Sequence, residues 1–317
     1  MNSVGVALIG AGRWGVTLGR AVARVPGAEL RWICEIDPER RSRAAEIHPR
    51  ARLAESLDRV LQDPLVEAAV VAVDSPQHHS VGLQVLEADR HLLMEKPMAL
   101  TAADAAELHA VAGARKLVLA VGHLLLHHPA VQRAHQLVTG GVIGDSLYLE
   151  ATRLSLGTGQ PPRSAWWSLA PHDVSLALYL FQAVPSQVTA IGGAWQDGQE
   201  SVAWATLRFS DGRLAHLHAA RIGAEKRRQV SVIGTRRTLT FDELSSEPLS
   251  LTETNGHSDR ITFGTVDPLL SQCRHFVESV ARRDTSVGNG AHALAVVRVL
   301  EAGALSILRG GFPVDVG

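Results

Sequence analysis

Between residues 4 and 121 short apolar runs alternate with longer stretches whose apolar positions recur every three or four residues. The runs at 4–9, 30–34, 69–73, 91–94 and 117–121 have the length and composition of buried strands, and the stretches between them have helical spacing. Asp37-Pro38, and Thr101 with Asp104 three residues on, mark helix starts, because a side-chain oxygen there accepts from the open amides of a first turn. Such alternation predicts a parallel sheet covered by helices on both faces.

After Gly122 the rhythm changes. A helix is predicted over about 129–138, a strand over 147–154, then a Gly/Pro-rich loop and a helix from about His172 to Phe181. Alternating segments at 202–209, 213–220 and 229–233, with turns at Asp211-Gly212 and Gly234-Thr235, predict consecutive antiparallel strands. Two further helices are predicted near 269–281 and 291–308.

At 317 residues the chain exceeds one small core, so two domains sharing an active-site cleft are expected. An apolar fraction of 46% with 20% charged residues is that of a globular protein. The 31 Lys and Arg against 32 Asp and Glu leave no bulk charge to hold a polyanion, which argues against a nucleic-acid partner. Cys34 and Cys273 show no disulfide or zinc spacing and read as core. The N-terminal run lacks signal-peptide features, and no later stretch reaches the roughly 20 apolar residues that span a bilayer. A cytoplasmic location without a membrane partner is expected.

Gly10-Ala11-Gly12-Arg13-Trp14-Gly15 follows the first strand and opens a helix. Glycines suit that place because the turn is tight, the backbone must approach a pyrophosphate, and the helix must pack on the strand; the helix N-terminus supplies open N–H donors. Gly10, Gly12, Arg13, Trp14 and Gly15 therefore form the expected cofactor cradle. Glu35 closes the second strand about 20 residues on, where a carboxylate accepts the ribose hydroxyls of NAD and repels the 2′-phosphate of NADP. Arg40 and Arg41 are expected to face solvent, so NAD is expected over NADP.

Glu95-Lys96-Pro97 follows the strand ending at Met94, at the edge where an α/β sheet presents residues to its ligand. A lysine there can donate to a substrate oxygen and stabilise a developing alkoxide. Together with the glycine turn, residues 86–91 leading into that motif, Gly140-Gly141-Val142-Ile143-Gly144, Leu169-Ala170-Pro171-His172-Asp173 and Asp267-Pro268-Leu269-Leu270, it makes the chain resemble the glucose-fructose oxidoreductase and inositol 2-dehydrogenase (Gfo/Idh/MocA) family over nearly its whole length. The resemblance implies an α/β fold: an NAD-binding Rossmann domain (1–122), then an α+β domain (123–317) with an open, mostly antiparallel sheet. It also implies a homodimer or homotetramer formed through that sheet, a small-molecule substrate, Lys96 as a catalytic residue, Glu95 beside the cofactor and a cis Lys96-Pro97 bond.

Family members carry an Asp four residues before an acid/base His. Here His172 takes the His place and Ser168 the Asp place; serine has no charge to hold a histidinium, so the relay is expected to be weakened. Asp173 is read as an acid at a helix N-terminus. Residues 122–129, 153–157 and 169–173 further resemble members that oxidise the 3-hydroxyl of nucleotide-linked amino sugars. On that resemblance Arg153 and Arg163 bind phosphate oxygens, with solvent or structural carboxylates as their alternative partners. Trp166, Trp167 and Ser168 then lie beside the sugar.

The 15 histidines include His123 and His127 at i, i+4 and the pairs His78-His79 and His127-His128, but a metal site is not expected because no helix or nearby acid completes a coordination shell. His216 and His218 share one strand face and are assigned to a contact surface. The expected function is NAD-dependent hydride transfer to or from a sugar, polyol or nucleotide-sugar hydroxyl or ketone. The alternatives are a reductase of a non-sugar ketone or imine, and a protein that binds NAD without turnover, for which Ser168 is the hint.

Overall fold

The computed structural model describes residues 3–156, 164–194, 200–284 and 290–317. Two compact units emerge, residues 1–127 with 266–297 and residues 128–265 with 298–317. The chain forms, in order, β1 (Val4–Ile9), α1 (Arg13–Ala23), β2 (Ala28–Cys34), α2 (Pro38–Ile47), β3 (Arg52–Ala54), α3 (Leu57–Leu61), β4 (Ala68–Val71), α4 (His78–Glu87), β5 (His91–Met94), α5 (Ala102–Ala114) and β6 (Leu119–Val121). There follow α6 (Pro129–Thr139), β7 (Ser146–Leu156), α7 (Ala165–Phe181), β8 (Gln187–Gly193), β9 (Val202–Arg208), β10 (Leu214–Gly223), β11 (Arg227–Gly234), β12 (Arg237–Asp242), β13 (Leu249–Glu253), β14 (Ser258–Arg260), α8 (Pro268–Arg282), α9 (Gly290–Leu308) and β15 (Val314–Asp315).

In the first unit all strands pair in parallel in the order β3-β2-β1-β4-β5-β6, the order of a doubly wound dinucleotide-binding sheet. Its strands are apolar throughout because both faces are covered. Ala7, Ile9, Leu92 and Met94 enter a core with Leu86 of α4 and Leu108 of α5. Val6, Leu8 and Leu93 enter the opposite core with Leu18 and Val22 of α1. Cys273, Phe276, Val277 and Val280 of α8 join this second core, and Ala293 and Val297 of α9 join the first. The first unit therefore extends to His127 and takes back a late segment, where a single boundary after Gly122 was expected.

The second unit holds a sheet in the order β14-β13-β12-β11-β7-β10-β9-β8-β15, antiparallel except for β7 with β10. Its strands alternate as a half-covered sheet requires. Leu149, Ala151, Ala205, Leu217 and Val232 are buried, and α7 packs on β7, β9 and β10. Trp166 of α7 is wholly buried and donates its indole N–H to Leu300 O at 2.7 Å, so it is a packing residue. α9 is long and apolar enough by length and composition to cross a membrane, which the sequence was not expected to contain; half of it is buried inside the protein.

Candidate active site

The carboxyl edge of the first unit's sheet gathers the residues expected to meet a dinucleotide. Gly10 follows β1 directly; its φ of +91° favours glycine, and an added Cβ would stand 2.7 Å from Ala72 O. A Cβ on Gly15 would stand 2.0 Å from Gly10 O, so α1 packs on the turn only with glycine there. A Cβ on Gly12 would meet nothing within 4 Å. Gly12 is also the N-cap of α1 with no side-chain cap, which leaves first-turn amides for an anion. Arg13 and Trp14 are exposed beside it.

Glu35 is buried, and both of its oxygens are held: Oε2 accepts from Ala11 N at 2.7 Å and Oε1 from Asp37 N at 3.0 Å. The carboxylate thus braces the glycine turn while keeping lone pairs for other donors. Arg41 donates to Glu35 O and Ile36 O at 2.7 and 3.2 Å, and Arg40 lies 4.0 Å from the Asp37 carboxylate. Asp37 caps α2 through the amides of Glu39 and Arg40, which with Arg40 and Arg43 hold its pKa below the ordinary range.

Beyond β5, Glu95 accepts from the Trp14 indole at 2.6 Å and from Lys96 N at 3.2 Å. Burial raises its pKa against these donors and the Lys96 charge. A Cβ on Gly122 would lie 2.8 Å from Glu95 Oε1, so that glycine makes room for the carboxylate. The Lys96-Pro97 bond is cis, as the resemblance implied. His123 is buried, with its ring edge-on to His292 at 5.5 Å between centroids. Burial first, then His292 and Lys96, drives its pKa well down. His127 packs instead on His275 at 5.4 Å, and burial takes its pKa to about 4. The i, i+4 histidines thus have separate partners, and no group of three or more metal-ligating side chains occurs among the described residues.

In the second unit α7 starts at Ser164, whose Oγ accepts from Trp167 N at 2.9 Å. Ser168 Oγ donates to Ser164 O at 2.6 Å. His172 follows one turn later on the same face. Trp167, Ser168 and His172 are all partly exposed.

Arg153 requires a correction. Its guanidinium is buried, donating to Asp173 from Nε at 3.0 and 3.1 Å and from Nη2 at 2.9 Å, and to Glu243 from Nη1 at 2.9 Å. Structural carboxylates, not phosphate, are its partners, so it leaves the substrate-binding set. Arg228 also donates to Glu243. Burial disfavours the Arg153 cation, but the two carboxylates outweigh it and hold the guanidinium above its ordinary range. Asp173 is corrected too: it lies inside α7, is 1% exposed, and ties the helix to β7. Arg163 lies outside the described residues. Sequence reasoning missed the Asp173–Arg153–Glu243–Arg228 network, whose members sit up to 90 residues apart and carry no local signal. Replacing Arg153 by Met should strand Asp173 as an unpaired buried charge and cost about 3–5 kcal/mol. Urea denaturation should show that loss; a midpoint equal to wild type would mean the network contributes nothing to stability.

A doubly wound parallel sheet, a glycine turn with open space at its middle glycine, and an acid ending the second strand define a dinucleotide-binding oxidoreductase. The comparisons give the family. The model of the oxidoreductase family with an NAD-binding Rossmann fold (GFO/IDH/MocA) matches residues 4–123, and that of the GFO/IDH/MocA C-terminal domain matches 131–240, so the chain belongs to this family of oxidoreductases. It is 32% identical over 225 residues to the UDP-N-acetylglucosamine 3-dehydrogenase of Acidithiobacillus ferrooxidans, covering 69% of each chain. The solved structure of a UDP-N-acetylglucosamine 3-dehydrogenase from that organism superposes with a TM-score of 0.87 at 26% identity, over 97% of this chain and 98% of the other. The 2,7-anhydro-N-acetylneuraminate hydratase of Mediterraneibacter gnavus is 26% identical over 259 residues, 76% of this chain and 68% of that one.

Proposed function

We propose that the protein is an NAD-dependent dehydrogenase that oxidises a secondary hydroxyl of an amino sugar carried on a nucleotide. The open space at Gly12, facing an uncapped helix N-terminus at the carboxyl edge that also presents Lys96, is the observation that carries the dinucleotide-dependent part of this reading. The likeness to the UDP-N-acetylglucosamine 3-dehydrogenase supports the substrate class. Gly10, Gly12, Arg13, Trp14 and Gly15 would hold the pyrophosphate half of the cofactor, and Glu95 would set the wall beside the nicotinamide. Glu35, braced by two amides, would accept from the ribose and repel a 2′-phosphate. Arg41 binds backbone carbonyls and Arg40 lies beside Asp37, which weakens the case for NADP.

NAD, when bound, supplies the hydride acceptor at nicotinamide C4. Lys96 donates to the substrate oxygen and stabilises its developing charge. The family resemblance gives His172 the acid/base role toward the hydroxyl proton, and its Nδ1 is buried. Ser168 and Trp167 line the sugar side. Tyr148, Ile191, Trp204 and Leu214, exposed on the open sheet face, support a homo-oligomer formed through that sheet.

Absorbance at the NADH band tests the substrate class, with UDP-N-acetylglucosamine, free polyols and a panel of non-sugar ketones and imines. Ser168→Asp refines it: a carboxylate should stabilise the histidinium that forms as His172 takes the proton, and so raise activity on hydroxyl substrates. Flat or lower activity in that variant, with turnover of a ketone or imine by the wild type, would favour the non-sugar reductase, which needs no Asp at position 168.

A further inference from the structure

His78 opens α4 and is 1% exposed. Its Nδ1 lies 2.6 Å from Pro97 O and its Nε2 lies 3.1 Å from Val73 O. Val73 stands just beyond β4 and Pro97 just beyond β5; these strands are neighbours, with Val71 opposite Met94. One imidazole therefore sits between two strand ends at the edge where Lys96 emerges. From the other side, the Lys96 amide donates to Glu95 at 3.2 Å.

We propose that His78 is a positioning residue for Lys96: its Nδ1–H donates to the carbonyl of Pro97 and holds the backbone on which Lys96 is rooted to the first turn of α4. The proposal rests on the role given to Lys96 above. A neutral ring has one N–H, and the shorter contact takes it. Burial lowers the pKa of His78 ahead of the opposing pull of the two carbonyls; Lys96 disfavours the charged ring and Asp74 favours it. A lysine has four rotatable side-chain bonds, so a fixed root is what the fold can contribute to its aim; displacing a reacting group by about 1 Å can cost on the order of a hundredfold in rate.

Three variants test this. His78→Asn places an amide N–H near the position of Nδ1 and should keep the Pro97 bond. His78→Phe keeps ring volume without a donor. His78→Gln carries its amide at the Nε2 end and replaces the Phe variant where that one fails to fold. With NAD and UDP-N-acetylglucosamine, His78→Phe or His78→Gln should lower kcat by roughly ten- to a hundredfold with KM for NAD little changed, and His78→Asn should restore most of kcat. The chain has only three lysines, Lys96, Lys116 and Lys226, so a 13C,15N-lysine spectrum follows each side chain. The Lys96 signal should move in His78→Phe and return in His78→Asn, with the other two fixed. Wild-type kcat in His78→Phe, or an unmoved Lys96 signal, overturns the clamp. A wild type inert on this substrate, whose Lys96 signal still follows the same pattern, upholds the clamp and overturns the substrate class instead.

Discussion

Lys96→Ala is expected to lower kcat by a factor on the order of a hundred or more and to leave NAD affinity nearly unchanged, the signature of a donor that acts mainly in the transition state. Lys96 follows β5 directly, and its amide is bonded to Glu95. Of the imidazoles that sense its charge, His123 is driven toward the neutral form by burial, and His78 is shifted the same way. No second cation among these groups stands ready to replace it. Steady-state kinetics with an NADH fluorescence titration separates the two effects. Full turnover in the variant would remove Lys96 from the reaction.

Gly12→Val should abolish dinucleotide binding while the protein keeps its fold. A Cβ on Gly12 meets nothing within 4 Å, so the added side chain enters only the space in front of α1. That space is where a pyrophosphate would meet the helix N-terminus. Gly15→Ala makes the contrast, because its Cβ would stand 2.0 Å from Gly10 O and the turn itself must shift. Thermal denaturation should therefore leave Gly12→Val near wild type and lower Gly15→Ala clearly, with NADH fluorescence lost in both. Saturable NADH binding by Gly12→Val would show that the glycine turn is not the cradle.

Much of the first unit was legible because a parallel sheet buried on both faces makes every strand an apolar run. β1 and β5 match expectation to the residue. β3, Arg52–Ala54, escaped because three residues with an exposed arginine carry no periodicity. The helix expected from His172 begins at Ala165: Pro171 reads as a breaker, yet α7 runs through it. Its neighbours Trp166 and Ala170 are buried in the fold, and that packing outweighs one missing N–H. No local pattern says which core a helix will join, so the return of α8 to the first unit was invisible.

The site divides in the same way. The tight backbone that needs glycine at Gly10 and Gly15 was readable from spacing. Residues whose role depends on a distant partner were not. Arg153 has the guanidinium of a phosphate ligand, but its partner Asp173 lies 20 residues away and neutralises it in the interior. His78 appeared only as half of an adjacent pair, because Pro97, which it holds, is 19 residues further on. Trp14 and Glu95, 81 residues apart, were each assigned to the cofactor side and are joined by the indole N–H.

The most direct measurement is isotopic. UDP-N-acetylglucosamine carrying deuterium at the sugar C3 is incubated with NAD and the protein, and the NADH is weighed by mass spectrometry. The hydride must come from the carbon that bears the reacting hydroxyl, so the account predicts NADH carrying that deuterium, with the label lost from the sugar and production strongly reduced in Lys96→Ala. NAD that binds but yields no NADH, or NADH without deuterium, would contradict a dehydrogenase acting at the C3 hydroxyl of a nucleotide sugar.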